Sequence, residues 1–393
     1  MTLGMASEPP EPPVPRYGSR SLGEVVPSLL SALGLPGFDN VLGVGSLDGF
    51  CLFVIDALGW EQVLAHREAA PFMAAAARAS EPVTAGFPST TAASLGSLGT
   101  GLAPGEHGLV GYTLAVPGHE RPMNALLWEL YGIGPHLDLR AELVPEDFQP
   151  LPTALERAEA AGAKVVRIGP PPHDGSGFTR AVLRGGPYAG AYWDHEILAA
   201  VSGGFAAERG ATVYAYNPDL DTAGHSKGAG SEPWLEQLAR FDRLVEELAA
   251  RLRPGQALFV TGDHGMVNLA PEDKVDLGDW PHLIEGVRFL GGEARARHVY
   301  AEPGAAAQVL ADWREFFDQA MWVVSKDEAV EAGWFGPRVT DRARSRIGDV
   351  VAAAFGPIGV FQKSVDPLQW TLTGHHGSMT PAEQLVPLLE FRG

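Results

Sequence analysis

The feature that most constrains the fold of this chain is an alternation. Short runs rich in β-branched and aromatic residues, at 50–55, 164–168, 212–216 and 258–261, are separated by Ala-, Leu- and Glu-rich stretches with helical spacing. That order predicts parallel strands, because parallel neighbours must be joined by a long crossover that is usually a helix. A run at 82–85 reads as a further strand. Helices are expected over 91–99, 151–161 and 233–251, the last with Leu235, Leu238, Leu244 and Leu248 on its buried face. The fold class is α/β, a doubly wound and mostly parallel sheet sandwiched by helices. With 393 residues, 45% of them hydrophobic, the chain can bury a large core.

The texture changes after residue 270. Stretches at 287–300, 305–317 and 321–324 read as strand, helix and strand, followed by a Gly-rich segment at 333–348. The expected organisation is a Pro-rich lead-in and first helix over 1–40, an α/β core over 41–270, a smaller α+β insertion or cap over 271–372, and a return to the core over 373–393. The proline-rich part, 8–16, is expected to be extended and draped over the body. An insertion placed there suits substrate selection, or merely packs against the core.

The net charge of -19 argues against nucleic acid or an anionic membrane as a partner, since both reward clustered Lys and Arg. The single cysteine, Cys51, sits in a strand-like run and reads as core; no intrachain disulfide is possible. No stretch approaches the roughly 18 apolar residues that span a bilayer, and the start lacks a basic and then apolar leader, so a cytoplasmic location is the expectation.

The chemistry sits where the apolar runs end. Asp56 follows Phe53-Val54-Ile55, Asp221 and His225 follow the 212–216 run, Asp263 and His264 follow the 258–261 run, and His376 lies in Gly374-His375-His376-Gly377. In an open parallel sheet these ends converge on one edge, and a mixed Asp/His set suits divalent transition metals, zinc above all. Any one of these residues is ordinary as a helix cap or a hydrogen-bonded histidine; together they point to metal. A second feature is Phe87-Pro88-Ser89-Thr90-Thr91, where three hydroxyls open a small-residue helix. Hydroxyls there are good N-caps, or one of them is a nucleophile activated by a neighbouring metal.

These stretches resemble the alkaline phosphatase superfamily and, within it, the nucleotide pyrophosphatase/phosphodiesterase branch. The resemblance rests on Val54 to Leu58, on Phe87 to Thr91 running to His107-Gly108, on Pro218 to His225, on Thr261 to Met266 and on His376-Gly377-Ser378, all in the family's order. It implies two divalent ions, zinc foremost: one held by Asp221, His225 and His376, the other by Asp56, Asp263 and His264 with Thr91. It also singles out Thr91 as the nucleophile, which the residues alone leave open among the three hydroxyls. A small phosphoester, such as a nucleotide, is the implied substrate, hydrolysed through a phosphothreonine intermediate.

The chain departs from the family pattern in two places. Where phosphodiesterases of the branch carry an Asn that touches a phosphate oxygen, His107-Gly108 leads to Gly111-Tyr112, so Tyr112 is the candidate substitute. The oxygen-clamping arginine of the monoesterases has no clear counterpart, with Arg180 and Arg295 as candidates. Trp60, Tyr112 and Trp193 are candidates for stacking on a base. Cys51 lacks the setting of a sulfatase formylglycine, and the threonine context points away from phosphoglycerate mutases. The alternatives are a phosphomonoesterase of the same superfamily and a non-catalytic metal-stabilised binding protein.

Overall fold

A computed structural model of the chain describes residues 9–206 and 210–393. The first eight residues of the proline-rich lead-in lie outside the described residues. From there the lead-in is draped over the body: the Trp322 indole donates to the Pro10 carbonyl at 2.6 Å and the Gln384 amide to that of Pro13 at 2.9 Å. It leads into the helix Leu22–Ala32, which Ser21 and Glu24 close with a capping box.

The centre is a six-stranded sheet. Its spatial order is Leu388–Arg392, Gln256–Thr261, Gly49–Ile55, Ala211–Asn217, Lys164–Gly169 and Tyr188–Gly190. All pairings are parallel except the edge strand Leu388–Arg392, which runs antiparallel beside Gln256–Thr261. Every residue of Gly49–Ile55 is buried, and side chains along it alternate between two cores. Phe50, Leu52 and Val54 join a core with Leu29 of the first helix, Leu95 and Leu155; Cys51, Phe53 and Ile55 join one with Met73, Leu198, Phe241 and Val245. Burial on both faces is why this strand reads as a continuous apolar run. Each large side chain so buried stabilises by roughly 1.5–3 kcal/mol.

Register then places the chemistry. Ile55 lies beside Asn217 and Val54 beside Thr261, so the chain leaves three adjacent strands at one edge and delivers Asp56, Asp221 and Asp263 there. The 82–85 run is not part of this sheet: Val83–Thr84 pairs antiparallel with Leu385–Val386 in a small ribbon of its own. Two residues are too few for the crossover periodicity to apply.

The segment expected to be one strand over 287–300 is a hairpin, Val287–Glu293 and Ala296–Ala301, turned at Ala294-Arg295. It forms a four-stranded antiparallel sheet with Val350–Ala354 and Met321–Ser325. The helix Ala306–Phe317 covers one face through Val309, Trp313 and Phe317, together with Val350, Ala352 and Ala354. Val351 and Ala353 point the other way, into the main core, so this region is packed against the body rather than standing off it. The ribbon Val267–Asn268 with Gly374–His375 then returns the chain to the sheet edge. Among the described residues no helix is long and apolar enough to cross a membrane.

Candidate metal centre

Two groups of ligand atoms assemble at the sheet edge: Asp56, Asp263 and His264 in one, Asp221, His225 and His376 in the other, with the atoms of each group within 4.8 Å of one another. The groups adjoin. The rings of His264 and His376 stack at 3.6 Å between centroids, and those of His225 and His376 lie 5.1 Å apart.

The imidazoles are oriented by backbone. His225 Nδ1 is 2.8 Å from the Gly374 carbonyl oxygen, His264 Nδ1 is 2.9 Å from that of Gly265, and His376 Nδ1 is 2.9 Å from that of Ser89. A carbonyl only accepts, so each Nδ1 carries the proton and each Nε2 lone pair is free for a cation. His264 Nε2 lies 3.3 Å from Asp56 Oδ1 and 3.6 Å from Asp263 Oδ2, and His225 Nε2 lies 3.3 Å from Asp221 Oδ1.

The carboxylates are half-satisfied in a telling way. Asp263 Oδ1 accepts from the amides of Ala57 at 3.0 Å and His264 at 3.1 Å, and Asp56 Oδ2 accepts from the Tyr216 hydroxyl. The oxygens facing the ring nitrogens, Asp56 Oδ1, Asp221 Oδ1 and Asp263 Oδ2, are buried and accept no hydrogen bond among the described residues. Burial raises the Asp56 carboxyl well above its ordinary range, with the charges of Asp263 and Asp221 adding to the effect. Burial raises Asp221 too, and it holds His376 well below the usual imidazole range and therefore neutral. Orphaned carboxylate oxygens packed against free Nε2 atoms fit divalent ions, which neutralise the first and coordinate the second.

Glycine is required where the loops cross. A Cβ on Gly262 would meet the Leu58 carbonyl oxygen at 2.3 Å, and Gly377 holds φ at 129° with its would-be Cβ 2.8 Å from Glu293 Cγ.

Thr91 begins the helix Thr91–Thr100, and its Oγ1 is 3.3 Å from His264 Nε2. The cap residue is Thr90, whose side chain makes no capping bond. Among the described residues the Ser89 hydroxyl donates to the Gly86 carbonyl, at 3.4 Å. The cluster therefore does not serve as an N-cap, and Thr91 is the hydroxyl that contacts the ligand set.

Tyr112 lines the cavity beside Thr91, and its hydroxyl accepts from Asn124 Nδ2 at 2.7 Å. His375 belongs to neither ligand group, and its Nε2 lies 3.2 Å from the Leu372 carbonyl oxygen. Neither arginine candidate reaches the centre. Arg180 pairs with Glu146, and Arg295 is buried in a bidentate pair with Glu383, so both guanidinium groups are already committed. Trp193 is exposed beside Arg240, and Trp60 packs on the core under the sheet, so neither lines a cavity at the centre.

Two residues escape the sequence reading. Tyr216 was visible in principle, since Tyr214 and Tyr216 alternate along one face of a strand that ends at the site. Glu293 had no such signal, because it comes from the hairpin after residue 270. It is buried, its Oε2 lies 3.3 Å from His376 Nδ1, and burial raises its carboxyl well above the usual range.

The parallel sheet thus gathers three carboxylates and three imidazoles near its carboxyl edge, next to a helix-opening threonine. The model of the type I phosphodiesterase / nucleotide pyrophosphatase family matches residues 50–379. The chain belongs to that family. Phosphopentomutases from Anaeromyxobacter dehalogenans strains 2CP-C and 2CP-1 / ATCC BAA-258 are each 31% identical over 160 residues, 40% of this chain and 38% and 39% of theirs. The chain thus spans about two fifths of the length of the curated relatives it matches. Among solved structures, an inactive variant of murine ectonucleotide pyrophosphatase / phosphodiesterase 5 in complex with AMP aligns with a TM-score of 0.62 at 16% identity, covering 88% of each chain. The human counterpart aligns with a TM-score of 0.60 at 17% identity, again over 88% of each chain. At such identity the likeness shows a shared fold.

Proposed function

We propose that the protein hydrolyses phosphodiester or pyrophosphate bonds at a centre of two divalent ions, zinc above all, with Thr91 as the nucleophile. The observation that carries this reading is the convergence of three orphaned carboxylate oxygens and three free imidazole nitrogens beside the Thr91 hydroxyl. Ions bound there would supply a lowered hydroxyl pKa and would offset charge on the non-bridging and leaving oxygens. Asp56, Asp263 and His264 would hold one and Asp221, His225 and His376 the other.

Thr91 stands at the positive end of a ten-residue helix, which favours an anionic oxygen and an anionic phosphoryl group. Its attack forms an Oγ–P bond and releases one ester arm; water then cleaves that bond and restores the hydroxyl. The carbonyls of Ser89 and Gly374 accept from Nδ1–H of His376 and His225 and so hold each ring with Nε2 toward the ligand set. Asp56 keeps its hydrogen bond to Tyr216, which fixes the carboxylate plane.

A diester is favoured over a monoester because cavities lie on two sides of the nucleophile. One, of about 500 Å³, runs from Thr91 past Tyr112 and Glu293. The other, of about 560 Å³, runs from Thr91 and Asp56 past Tyr214, Tyr216 and Arg167. Two arms on phosphorus fill both, whereas a monoester fills one. The aromatic wall of the second suits a ring, and the AMP bound by the murine relative makes a nucleotide diester the first natural substrate to try.

The test is hydrolysis by the zinc-reconstituted protein. Bis-(4-nitrophenyl) phosphate is expected to exceed 4-nitrophenyl phosphate in kcat/KM by about tenfold or more, worth about 1.4 kcal/mol in the transition state. Preference for the monoester would overturn the diesterase assignment, and bound zinc with neither activity would favour a binding protein.

A further inference from the structure

Arg297 is a buried cation that makes no salt bridge among the described residues, although the charge of the buried Glu293 acts on it. It lies on the strand Ala296–Ala301 and is only 7% exposed. Its Nε and Nη2 both donate to the Val360 carbonyl oxygen, at 2.8 and 2.6 Å, and Nη1 has no partner among the described residues. Its neighbour Arg295 shows what a purely structural arginine looks like in this fold. There, Glu383 takes a bidentate pair and the carbonyls of Gly356 and Ile358 take the remaining nitrogen. Burial lowers Arg297 only to about 10, so it remains charged at neutral pH. Nη1 is not among the buried unpaired atoms, so it is an open donor able to meet an anion.

That nitrogen has a place to act. Arg297 lines a recess of about 250 Å³ with Arg121 and Arg288. Arg121 is braced by the Ile133 and Pro135 carbonyls at 2.9 and 3.0 Å, and Arg288 lies over the Phe289 ring at 4.7 Å. The carboxylates lining the recess are Asp366 and the exposed Glu120, whose contact with Arg288 is a loose 3.6 Å, so three guanidinium groups line it with two acids, while the charge of Glu293 acts on Arg297 from outside the lining. The recess is also continuous with the catalytic groove. Tyr131, Asp366 and Gln369 are walls of both it and the cavity at Thr91.

We infer that this recess is a second anion subsite, in which Arg297, Arg288 and Arg121 hold a phosphate carried on the substrate arm that extends from the scissile phosphorus. The inference rests on the phosphodiesterase reading above for the direction of that arm. It gives the region after residue 270 a role in choosing substrates that carry a distal anion.

The experiment uses two diesters that share a 4-nitrophenyl arm and differ at the end of a short alkyl arm, phosphate in one and hydroxyl in the other. Each is titrated calorimetrically into zinc-loaded Thr91→Ala protein, so that binding is read without turnover. The phosphate-ended diester is expected to bind about tenfold tighter or better, and Arg297→Gln and Arg288→Ala are each expected to bring the ratio toward one. Equal affinities in the parent overturn the inference. So does a ratio that survives both arginine changes, because the terminal phosphate is then held at the metal centre instead. Arg297 is buried, so if its variant melts far below the parent the surface change Arg288→Ala decides. Wild-type turnover of bis-(4-nitrophenyl) phosphate, run in parallel, separates the two readings: no turnover with the affinity ratio intact removes the diesterase and leaves the anion subsite standing.

Discussion

Thr91→Ala is expected to lose on the order of 10³-fold or more in kcat for a phosphodiester while still taking up its metal ions. The substitution removes the attacking oxygen and little else. None of the six ligand side chains depends on Thr91 for a hydrogen bond, apart from the 3.3 Å contact to His264 Nε2 that metal binding replaces. The helix loses no cap, since Thr90 occupies that position without a side-chain bond. A stability change within about 1 kcal/mol is therefore expected. Thr91→Ser keeps the oxygen and should keep most of the rate, and Thr90→Ala, whose hydroxyl interacts with Glu293, should fall far less than Thr91→Ala. Steady-state kinetics with metal analysis on the same preparations checks all three. Near-normal kcat in Thr91→Ala moves the nucleophile elsewhere.

Metal removal is expected to abolish turnover and to destabilise the protein, with a pH dependence whose sign is set by the buried carboxyls. Asp56 and Asp221 have folded pKa values raised above the ordinary 3.8, chiefly by burial. A raised carboxyl pKa means that ionisation costs stability. The cost is absent below the unfolded value and grows as pH rises toward the folded one. Metal-free protein should therefore lose thermal stability as pH increases, and added zinc should restore more at about pH 8 than at about pH 5, because only ionised carboxylates bind it. At an ion concentration a thousand times the Kd the gain is about 4 kcal/mol. Thermal melts with and without chelator at the two pH values read the difference, and an equal gain at both would show that these carboxyls are not the ones titrated by metal.

The sheet was legible because its central strands are buried on both faces. Residues 50–55 and 257–260 are continuous apolar runs for that reason, and a candidate ligand follows each strand. The candidate ligands were legible because an aspartate follows a strand three times, at Asp56, at Asp263 and, within the helix Asp219–Lys227, at Asp221, and register then does the gathering. What failed lacked periodicity. Val83–Thr84 is too short to reveal its sheet, and the tight turn at Ala294-Arg295 inside an apolar stretch hides a hairpin. Arg295 was a reasonable clamp candidate by type, yet Glu383, distant in sequence, had already taken it. Glu293 and Arg297 matter through what the insertion faces, and no local pattern encodes which side of a hairpin lies against another unit.

The most direct test of the central claim is the stereochemical course at phosphorus. A diester made chiral with sulfur and an oxygen isotope is hydrolysed by the zinc-loaded protein, and the configuration of the product is read by phosphorus NMR. Attack by Thr91 followed by attack of water makes two inversions, so the product retains configuration. Net inversion would mean that water attacks phosphorus directly, and it would contradict a threonine-bound intermediate whatever the metal content of the protein.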